Sequence, residues 1–360
     1  MSAPPNVRPL RVALVIGLAT ALTKAITTTI GLDSEPVAYG VVMAALVVRP
    51  DFSRWPAAIY PVLVVLVAIA MGIGLVVDLG FSGAPSNFTF AVVAGVMQLL
   101  GLLLPTKLKM LSGALAVAGV LPLLSSSSTP GSWAQEVGAI ALGLTMGSLV
   151  QVLFTPAPAA SPPEQAAAAP LAPEPPREPK PEPSLALRLR EGLGNPFFWQ
   201  RTLLAMLALP IGEGLNAVAP KYLYFGVVLL FNDSVDATLA RVIDRMVGVS
   251  LGILMPLLVF NTIGMGPLEI GLVMGGTTAL VTALGLSSFL RTALISSGVA
   301  FVGYGALVAW YVPNRWIDYL MGSVLAAAGA LVADGFRTQP ASRRPAPASP
   351  SPPGRDTSSG

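Results

Sequence analysis

Twelve apolar segments follow one another along this 360-residue chain, and short polar stretches separate most of them. The chain is 54% hydrophobic and 11% charged, whereas a soluble domain carries about 25% charged residues. Because this much apolar surface needs lipid to cover it, the sequence predicts an all-α, polytopic membrane protein. The twelve transmembrane segments are predicted at 11–31, 36–48, 56–77, 88–105, 108–124, 134–154, 200–219, 222–231, 246–263, 267–286, 289–312 and 316–333.

The basic residues of the connections indicate the orientation. With the N-terminus in the cytoplasm, the outer connections hold only Lys221 and Arg315. Besides the basic residues of the linker and the tail, the cytoplasmic connections then hold Arg8, Arg11, Arg49, Arg54, Lys107, Lys109, Arg241, Arg245, Arg291 and Arg337. This alternation follows the positive-inside rule. It predicts a multi-pass protein of the plasma (inner) membrane with both termini cytoplasmic.

A proline-rich segment divides the chain. From Pro156 to Ser184 it reads PAPAASPPEQAAAAPLAPEPPREPKPEPS, with eleven prolines in 29 residues. Such a composition cannot bury a core and predicts a disordered cytoplasmic linker, as does the tail after Gln339. The predicted organisation is a membrane repeat at 1–155, a linker at 156–187, a second membrane repeat at 188–338 and a tail at 339–360. Linker and tail are simple tethers or docking sites for a partner protein.

Six predicted segments lie on each side of the linker, and the two halves resemble each other. The short second segment reads YGVVMAALVVRPDFSRW (39–55) in the first half and FGVVLLFNDSVDATLARV (225–242) in the second. Near the end of each half a tryptophan opens a glycine-bearing segment, WAQEVGAIALGLTMG and WIDYLMGSVLAAAGA. Six spans are an even number, so the pattern predicts two parallel repeats related by an axis along the membrane normal.

Charged residues inside apolar segments are costly and suggest function. Lys24 follows Arg11 by 13 residues in the first segment, and Glu213 follows Arg201 by 12 in the seventh. We expect Lys24 and Glu213, with the nearby Asn216, to face one central cavity, where lysine attracts an anion and glutamate exchanges a proton. The alternative is that the Lys24 and Glu213 side chains both extend to the outer membrane–water interface, where their charged ends are solvated.

The eighth segment, Tyr222 to Phe231, has ten residues and spans only about half of a hydrocarbon core. Short segments at matching places in both halves point to a binding site. We therefore expect a cytoplasmic gate or vestibule formed by Asp51, Asn232, Asp233, Asp236, Arg241, Asp244 and Arg245. The alternative is an interfacial ion pair between Arg241 and Asp244 that anchors the next span.

Taken together, FGVVLLFNDSVDATLARVIDRMVGVSLG and, more loosely, YGVVMAALVVRPDFSRW resemble the fusaric acid resistance (FUSC) family, also called aromatic acid exporters. The resemblance implies an inner-membrane transporter for proton-coupled efflux of small aromatic organic acids. Many relatives carry a large cytoplasmic domain between the halves, where this chain has its Pro/Ala linker.

The sequence argues against several functional classes and leaves others open as alternatives. The chain has no His, no Cys and no phosphate-binding loop, which argues against an enzyme, a metal site, a cofactor or an ATP-driven pump. The net charge of +3 gives no reason to expect a nucleic-acid partner. A passive organic-anion channel, a major-facilitator-type transporter of another solute and a non-transporting scaffold stay open. The lipid bilayer and a small organic anion are the expected partners, and a homo-oligomer is compatible with the sequence.

Overall fold

The structure is a computed structural model, and it describes residues 7–52, 56–57, 59–124, 129–155, 183–218, 220–260, 262–302 and 308–338. All regular structure in these ranges is helical. The α-helices are α1 (Val7–Thr29), α2 (Ser34–Val47), α3 (Ile59–Gly80), α4 (Ser86–Leu103), α5 (Ser112–Leu124), α6 (Pro130–Phe154), α7 (Leu185–Gly194), α8 (Pro196–Gly214), α9 (Lys221–Leu230), α10 (Val235–Phe260), α11 (Pro267–Ala283), α12 (Leu290–Val302) and α13 (Val308–Thr338).

Each of the twelve predicted apolar segments overlaps a helix, and α7 is an additional helix. The eleventh segment, 289–312, overlaps both α12 and the first turn of α13. Among the described residues six helices, α1, α3, α4, α6, α10 and α13, are long and apolar enough to cross a bilayer. Helices α2, α5, α9 and α11 are apolar but shorter. Six such helices in one chain are typical of a multi-pass membrane protein.

The structure differs from the predicted segments at several boundaries. Helix α13 begins at Val308, eight residues before the predicted start of the twelfth segment. Helix α10 begins at Val235, eleven residues before the predicted start of the ninth segment, so its first three turns carry charged residues. The fifth segment is divided into a 3₁₀ turn at Thr106–Leu111 and helix α5. Helix α7 begins at Leu185, inside the predicted linker, where the Ser184 hydroxyl caps it by accepting from the Leu187 amide. Most of the linker and the tail (156–182 and 339–360) lie outside the described residues.

Some of the closest helix contacts join the first half of the chain, α1–α6, to the second half, α8–α13. Helix α1 packs most closely against α11, and α4 packs against α8. Within the halves, α2 packs on α6 and α3 on α5, while α9 packs on α13 and α10 on α12. Helices α2 and α12 also touch, as do α5 and α9. Helices of the first half therefore pack directly against helices of the second half.

Glycines allow the closest of these crossings. A Cβ at Gly17 of α1 would lie 2.8 Å from the Gly271 carbonyl oxygen of α11, and a Cβ at Gly226 of α9 would lie 2.7 Å from the Gly322 carbonyl carbon of α13. Small residues of this kind let backbones approach where lipid offers no hydrophobic driving force between helices. Large apolar side chains such as Leu153 and Leu268 remain exposed on the outer surface, as expected for contact with lipid.

Candidate functional site

Lys24 and Glu213 occupy different surroundings. Lys24 is partly buried in the second half of α1, whose main neighbours are α11, α2 and α6. Glu213 is exposed near the end of α8 and accepts a hydrogen bond of 2.6 Å from the Asn87 side-chain amide at the start of α4. Glu213 therefore links α8 to α4. The shared cavity for Lys24 and Glu213 stays a prediction.

Asn216 ends helix α8. It adopts a positive φ of 55°, and the following Ala217 amide donates to the Gly212 carbonyl at 2.9 Å. This is the left-handed C-terminal turn that asparagine adopts more readily than most residues. Its side chain is exposed. The sequence placed Asn216 near the site, and the structure adds a reason for asparagine at this position that needs no ligand.

The turn after α9 is closed by short-range hydrogen bonds. The Asn232 amide donates to the Thr238 hydroxyl at 3.0 Å, and the Ser234 hydroxyl caps α10 by accepting from the Ala237 amide at 3.2 Å. Asp233 and Asp236 are exposed near this N-terminal end, where the helix dipole favours acidic side chains. The backbone amides of Asn232 and Ala237 therefore find their acceptors within the turn and the start of α10.

The charged residues of α10 face different ways. Arg241 and Asp244 are both exposed and form no ion pair with each other. The Arg245 guanidinium lies 5.1 Å from the centre of the Tyr319 ring of α13, a cation–π contact that ties α10 to α13. In the first half, the Asp51 carboxylate pairs with Arg49 at 3.5 Å on an exposed surface. Asp51 and Arg245 thus have protein partners, while Arg241 and Asp244 face outward.

Two acidic residues that were not predicted as site residues are the most deeply enclosed carboxylates described. Glu136 of α6 is 2% exposed, and its Oε2 has no hydrogen-bond partner among the described residues. Glu35 of α2 adds a like charge nearby, and its own Oε1 accepts from the Tyr39 hydroxyl at 3.2 Å. Asp318 of α13 is 1% exposed and accepts from the Val218 amide at 3.2 Å. Their positions just after Trp133 and Trp316 are the sequence signal that could have identified them.

A second unpredicted group lies where α4, α5, α8 and α9 meet. The Tyr224 side chain of α9 is fully buried, and its hydroxyl donates to the Ala116 carbonyl at 2.9 Å. Arg201 of α8 acts electrostatically on this hydroxyl, and its Nη2 donates to the Val228 carbonyl at 2.5 Å. Gln98 of α4 faces the same hydroxyl. Single polar residues in apolar helices give no pattern from which this grouping could be predicted.

In the described part of the chain, no three His, Cys, Asp or Glu side chains come together in a way that could hold a metal ion. The organised groups are instead carboxylates, an arginine and amides, which bind protons and small ions. Comparison of the chain with protein-family models, with curated proteins and with solved structures gave no match. The FUSC resemblance is therefore a proposal that rests on the residues alone.

Proposed function

We propose that the membrane region consists of two parallel six-span repeats, α1–α6 and α8–α13. The helix packing supports this: exchanging the two halves turns each major contact into another one. The α1–α11 contact becomes α8–α4, α2–α6 becomes α9–α13, and α3–α5 becomes α10–α12. The contact between α2 and α12 likewise becomes that between α9 and α5. A pseudo-twofold axis would produce this correspondence.

Matching residues at these contacts support the same proposal. Gly40 of α2 approaches α6, and Gly226 of α9 approaches α13, each in the sequence Gly-Val-Val. The Trp133 ring nitrogen donates to the Ala68 carbonyl of α3 at 3.2 Å. The Trp316 ring nitrogen donates to the Ser250 hydroxyl of α10 at 3.0 Å. Burial also agrees position by position between 36–46 and 222–232.

We further propose that the protein is a membrane transporter for small organic anions, with proton-coupled efflux of aromatic acids as the reaction. The observation that carries this is the pair of short, enclosed helices α2 and α9 at matching places in the two halves. Helix α9 has ten residues, of which seven are buried and the other three are partly buried. Short or broken helices at corresponding positions mark the binding region in transporters built from repeats.

In this proposal Lys24 and Glu213 hold equivalent places. Buried Thr23 of α1 matches buried Gly212 of α8, so the next residue in each helix is the charged one. Lys24 attracts the anion, Glu213 exchanges a proton, and the turn from Asn232 to Asp236 leads to the cytoplasm. Twelve spans and the cytoplasmic termini belong to the same proposal.

Efflux of benzoate from proteoliposomes tests the function. With an imposed proton gradient, the wild type should move benzoate against its concentration gradient, and dissipating the gradient should stop it. Lys24→Ala and Glu213→Gln should each reduce the initial rate at least about tenfold, as loss of one charged contact implies. Arg190→Ala and Glu191→Gln, on the exposed surface of α7, are the matched charge-removing controls.

Each outcome decides one part of the proposal. Benzoate flux that follows the anion gradient without a proton gradient would identify a passive channel instead. Wild-type rates in both Lys24→Ala and Glu213→Gln would remove these residues from the mechanism and leave transport itself intact. Absence of any flux from the wild type, in vesicles where the protein is folded, would contradict the transport function.

A further inference from the structure

Helix α7 is a short amphipathic helix that packs against the ends of two longer ones, α4 and α8. Asn195, in an extended conformation, separates it from α8. Leu185, Leu187 and Leu193 are exposed, although the same ten residues also carry three charges. Exposed leucines beside charged groups are typical of a helix that lies in the headgroup region of a bilayer. Helix α7 therefore lies at the membrane surface where α4 ends, which is the cytoplasmic one in the proposed orientation.

Arg188 joins α7 to the end of α4. Its Nη1 donates to the Leu103 carbonyl at 3.1 Å. One turn further along α7, a Cβ at Gly192 would lie 2.6 Å from the Leu102 side chain. Arg188 and Gly192 are therefore on the face of α7 that packs on α4. This contact holds the guanidinium at the last residue of α4.

The positive charge of Arg188 has no acidic partner in the described part of the chain. Its Nε is buried without an acceptor among the described residues, while the residue as a whole is partly exposed. Lys109, exposed in the 3₁₀ turn that follows α4, adds a second positive charge at the same end of that helix. An arginine left unpaired at a membrane surface favours a phosphate group, which accepts charge-assisted hydrogen bonds from it.

An apolar cavity begins at the residue that Arg188 contacts. Leu103, whose carbonyl accepts from Arg188, also lines a cavity of about 180 Å³ between α3, α4 and α5. The cavity follows α4 back to Met97, which is roughly 9 Å along the helix axis. It therefore runs from the membrane surface into the depth at which acyl chains lie.

The cavity suits a hydrocarbon chain in lining, size and access. All eleven residues that line it are apolar. A cavity of roughly 150 Å³ holds a benzene ring, so this one has room for a chain segment of about six carbons. The cavity is partly open, and Ile69 in its wall is 54% exposed on the lipid-facing helix α3.

We propose that α3, α4, α5 and α7 form a binding site for an anionic phospholipid, with its phosphate on Arg188 and part of one acyl chain in the apolar cavity. The two parts of the site meet at Leu103, which accepts from Arg188 and lines the cavity. A lipid fits this combination because it carries a charged group and a hydrocarbon chain in one molecule. Since α7 leads directly into the second half while α3, α4 and α5 belong to the first, the bound lipid bridges the two halves. The site does not depend on the proposed transport function.

Native mass spectrometry of the purified full chain in neutral detergent tests the headgroup contact. The probes are dioleoyl phosphatidylglycerol and its zwitterionic counterpart, dioleoyl phosphatidylcholine, and the wild type should bind the first phosphatidylglycerol more tightly. Arg188→Gln should raise the Kd for phosphatidylglycerol at least about fivefold and remove this preference, because one basic residue near anionic lipid contributes about that factor. The matched control is Arg190→Gln, which removes the same charge from an exposed position of α7 and should keep the preference.

A bulky residue in the cavity tests the acyl chain. Leu66 lines the cavity from α3, and Leu66→Trp should raise the Kd for both lipids at least about fivefold by excluding one or two methylene groups. Val65→Trp is the control, because Val65 is 54% exposed on the same helix and does not line the cavity. It should leave both Kd values unchanged.

Equal Kd values for the two lipids in the wild type would overturn the site without any variant. A folded Arg188→Gln protein with an unchanged Kd would overturn it as well. An equally large effect of Arg190→Gln would show a general attraction to α7 instead of a site. Equal effects of Leu66→Trp and Val65→Trp would remove the chain from the cavity. Displacement of phosphatidylglycerol by inorganic phosphate would assign Arg188 to a free anion. None of these measurements involves flux, so a failure of transport would leave the lipid site standing.

Discussion

The α2–α6 and α9–α13 contacts are built alike but are surrounded by different chemistry. In both, a glycine in a Gly-Val-Val sequence lets the short helix lie against the last helix of its half. When Trp133 is matched to Trp316, the fully buried Glu136 corresponds to Tyr319. Tyr319 stacks near Tyr222 with a ring separation of 4.7 Å and lies under Arg245, whereas Glu136 has an oxygen without a partner among the described residues.

A second pair of matching places shows the same divergence. Where α4 meets α5, a Cβ at Gly119 would lie 2.6 Å from Met97 Cγ, so the methionine side chain would have to shift for any residue larger than glycine. Where α11 meets α12, Thr277 and Ser297 share a hydrogen bond of 2.9 Å instead. The helix contacts are thus kept in both halves while the side chains around them differ. The differences, rather than the common framework, are therefore the places to look for chemistry.

The largest expected effect comes from enlarging a glycine at one of the helix contacts that the two halves share. In Gly226→Val the Cβ would lie 2.7–2.9 Å from Gly322 backbone atoms, which cannot rotate away as a side chain can. We expect a loss of about 3 kcal/mol or more in the free energy of unfolding, and Gly40→Val should behave similarly. Thermal unfolding in detergent, followed by circular dichroism, measures both.

Gly138→Ala on α6 is the control for these variants, because a Cβ there meets nothing within 4 Å. This substitution should leave the free energy of unfolding equal to that of the wild type or raise it by up to about 1 kcal/mol, since alanine favours the helical conformation over glycine. Wild-type stability in Gly226→Val would mean that α9 and α13 do not pack closely. A large loss in only one of the two valine variants would contradict the correspondence of the halves.

The helices were largely predictable from the sequence, because apolar runs between polar connections mark helices and each of the twelve runs overlaps a helix. The apolar pattern marks only the part of α10 from 246 onward, because the charges between Asp236 and Arg245 interrupt the apolar pattern but not the helix. Helix α7 was missed since its ten residues alternate charge and leucine next to the proline-rich linker.

The candidate sites were less predictable, because burial of a polar side chain depends on which helix it faces. Glu136 was not predicted as a site residue, yet it is buried six residues after the start of α6, the helix that packs on α2. Gln98 and Arg201 are 103 positions apart in the chain and meet near Tyr224 only through the α4–α8 contact between the halves. No spacing within one helix could indicate that meeting.

The next largest effect concerns the difference between Glu136 and Tyr319. At pH 9, where an ordinary carboxyl is ionised, Glu136 buries a charge beside Glu35 with one oxygen unpartnered among the described residues. Glu136→Gln should therefore stabilise the protein by about 1–2 kcal/mol in a thermal melt at that pH. Glu35→Gln should gain less, because Glu35 is less buried and already accepts from Tyr39. Destabilisation by Glu136→Gln would reveal a partner that requires the charge.

A smaller effect is expected at the tryptophan that both halves share. Trp316→Phe removes the hydrogen bond to Ser250, and Ser250→Ala removes it from the other side. A double-mutant cycle of the two should give a coupling of about 0.6 kcal/mol and no more than about 1.7, the range for hydrogen bonds between membrane helices. Trp133→Phe tests the equivalent bond to Ala68, where a backbone acceptor prevents the matching substitution. A coupling near zero would mean that the ring holds α13 to α10 by packing alone.

The smallest effect tests whether the hydrogen-bonded pair Thr277 and Ser297 can be replaced by the apolar pair found in the first half, Met97 and Gly119. Ser297 also donates to the Gly252 carbonyl at 2.6 Å, so Ser297→Gly alone should lose two contacts and leave a gap next to α10. Thr277→Met alone should crowd Ser297, by analogy with the fit between Met97 and Gly119. The double variant recreates the first half's pair in the second half, and we expect it to be more stable than either single variant and within about 1 kcal/mol of wild type. Chemical or thermal unfolding of the four proteins measures this. A double variant less stable than both singles would show that the two halves, although they share their helix contacts, do not share the shape of their cores.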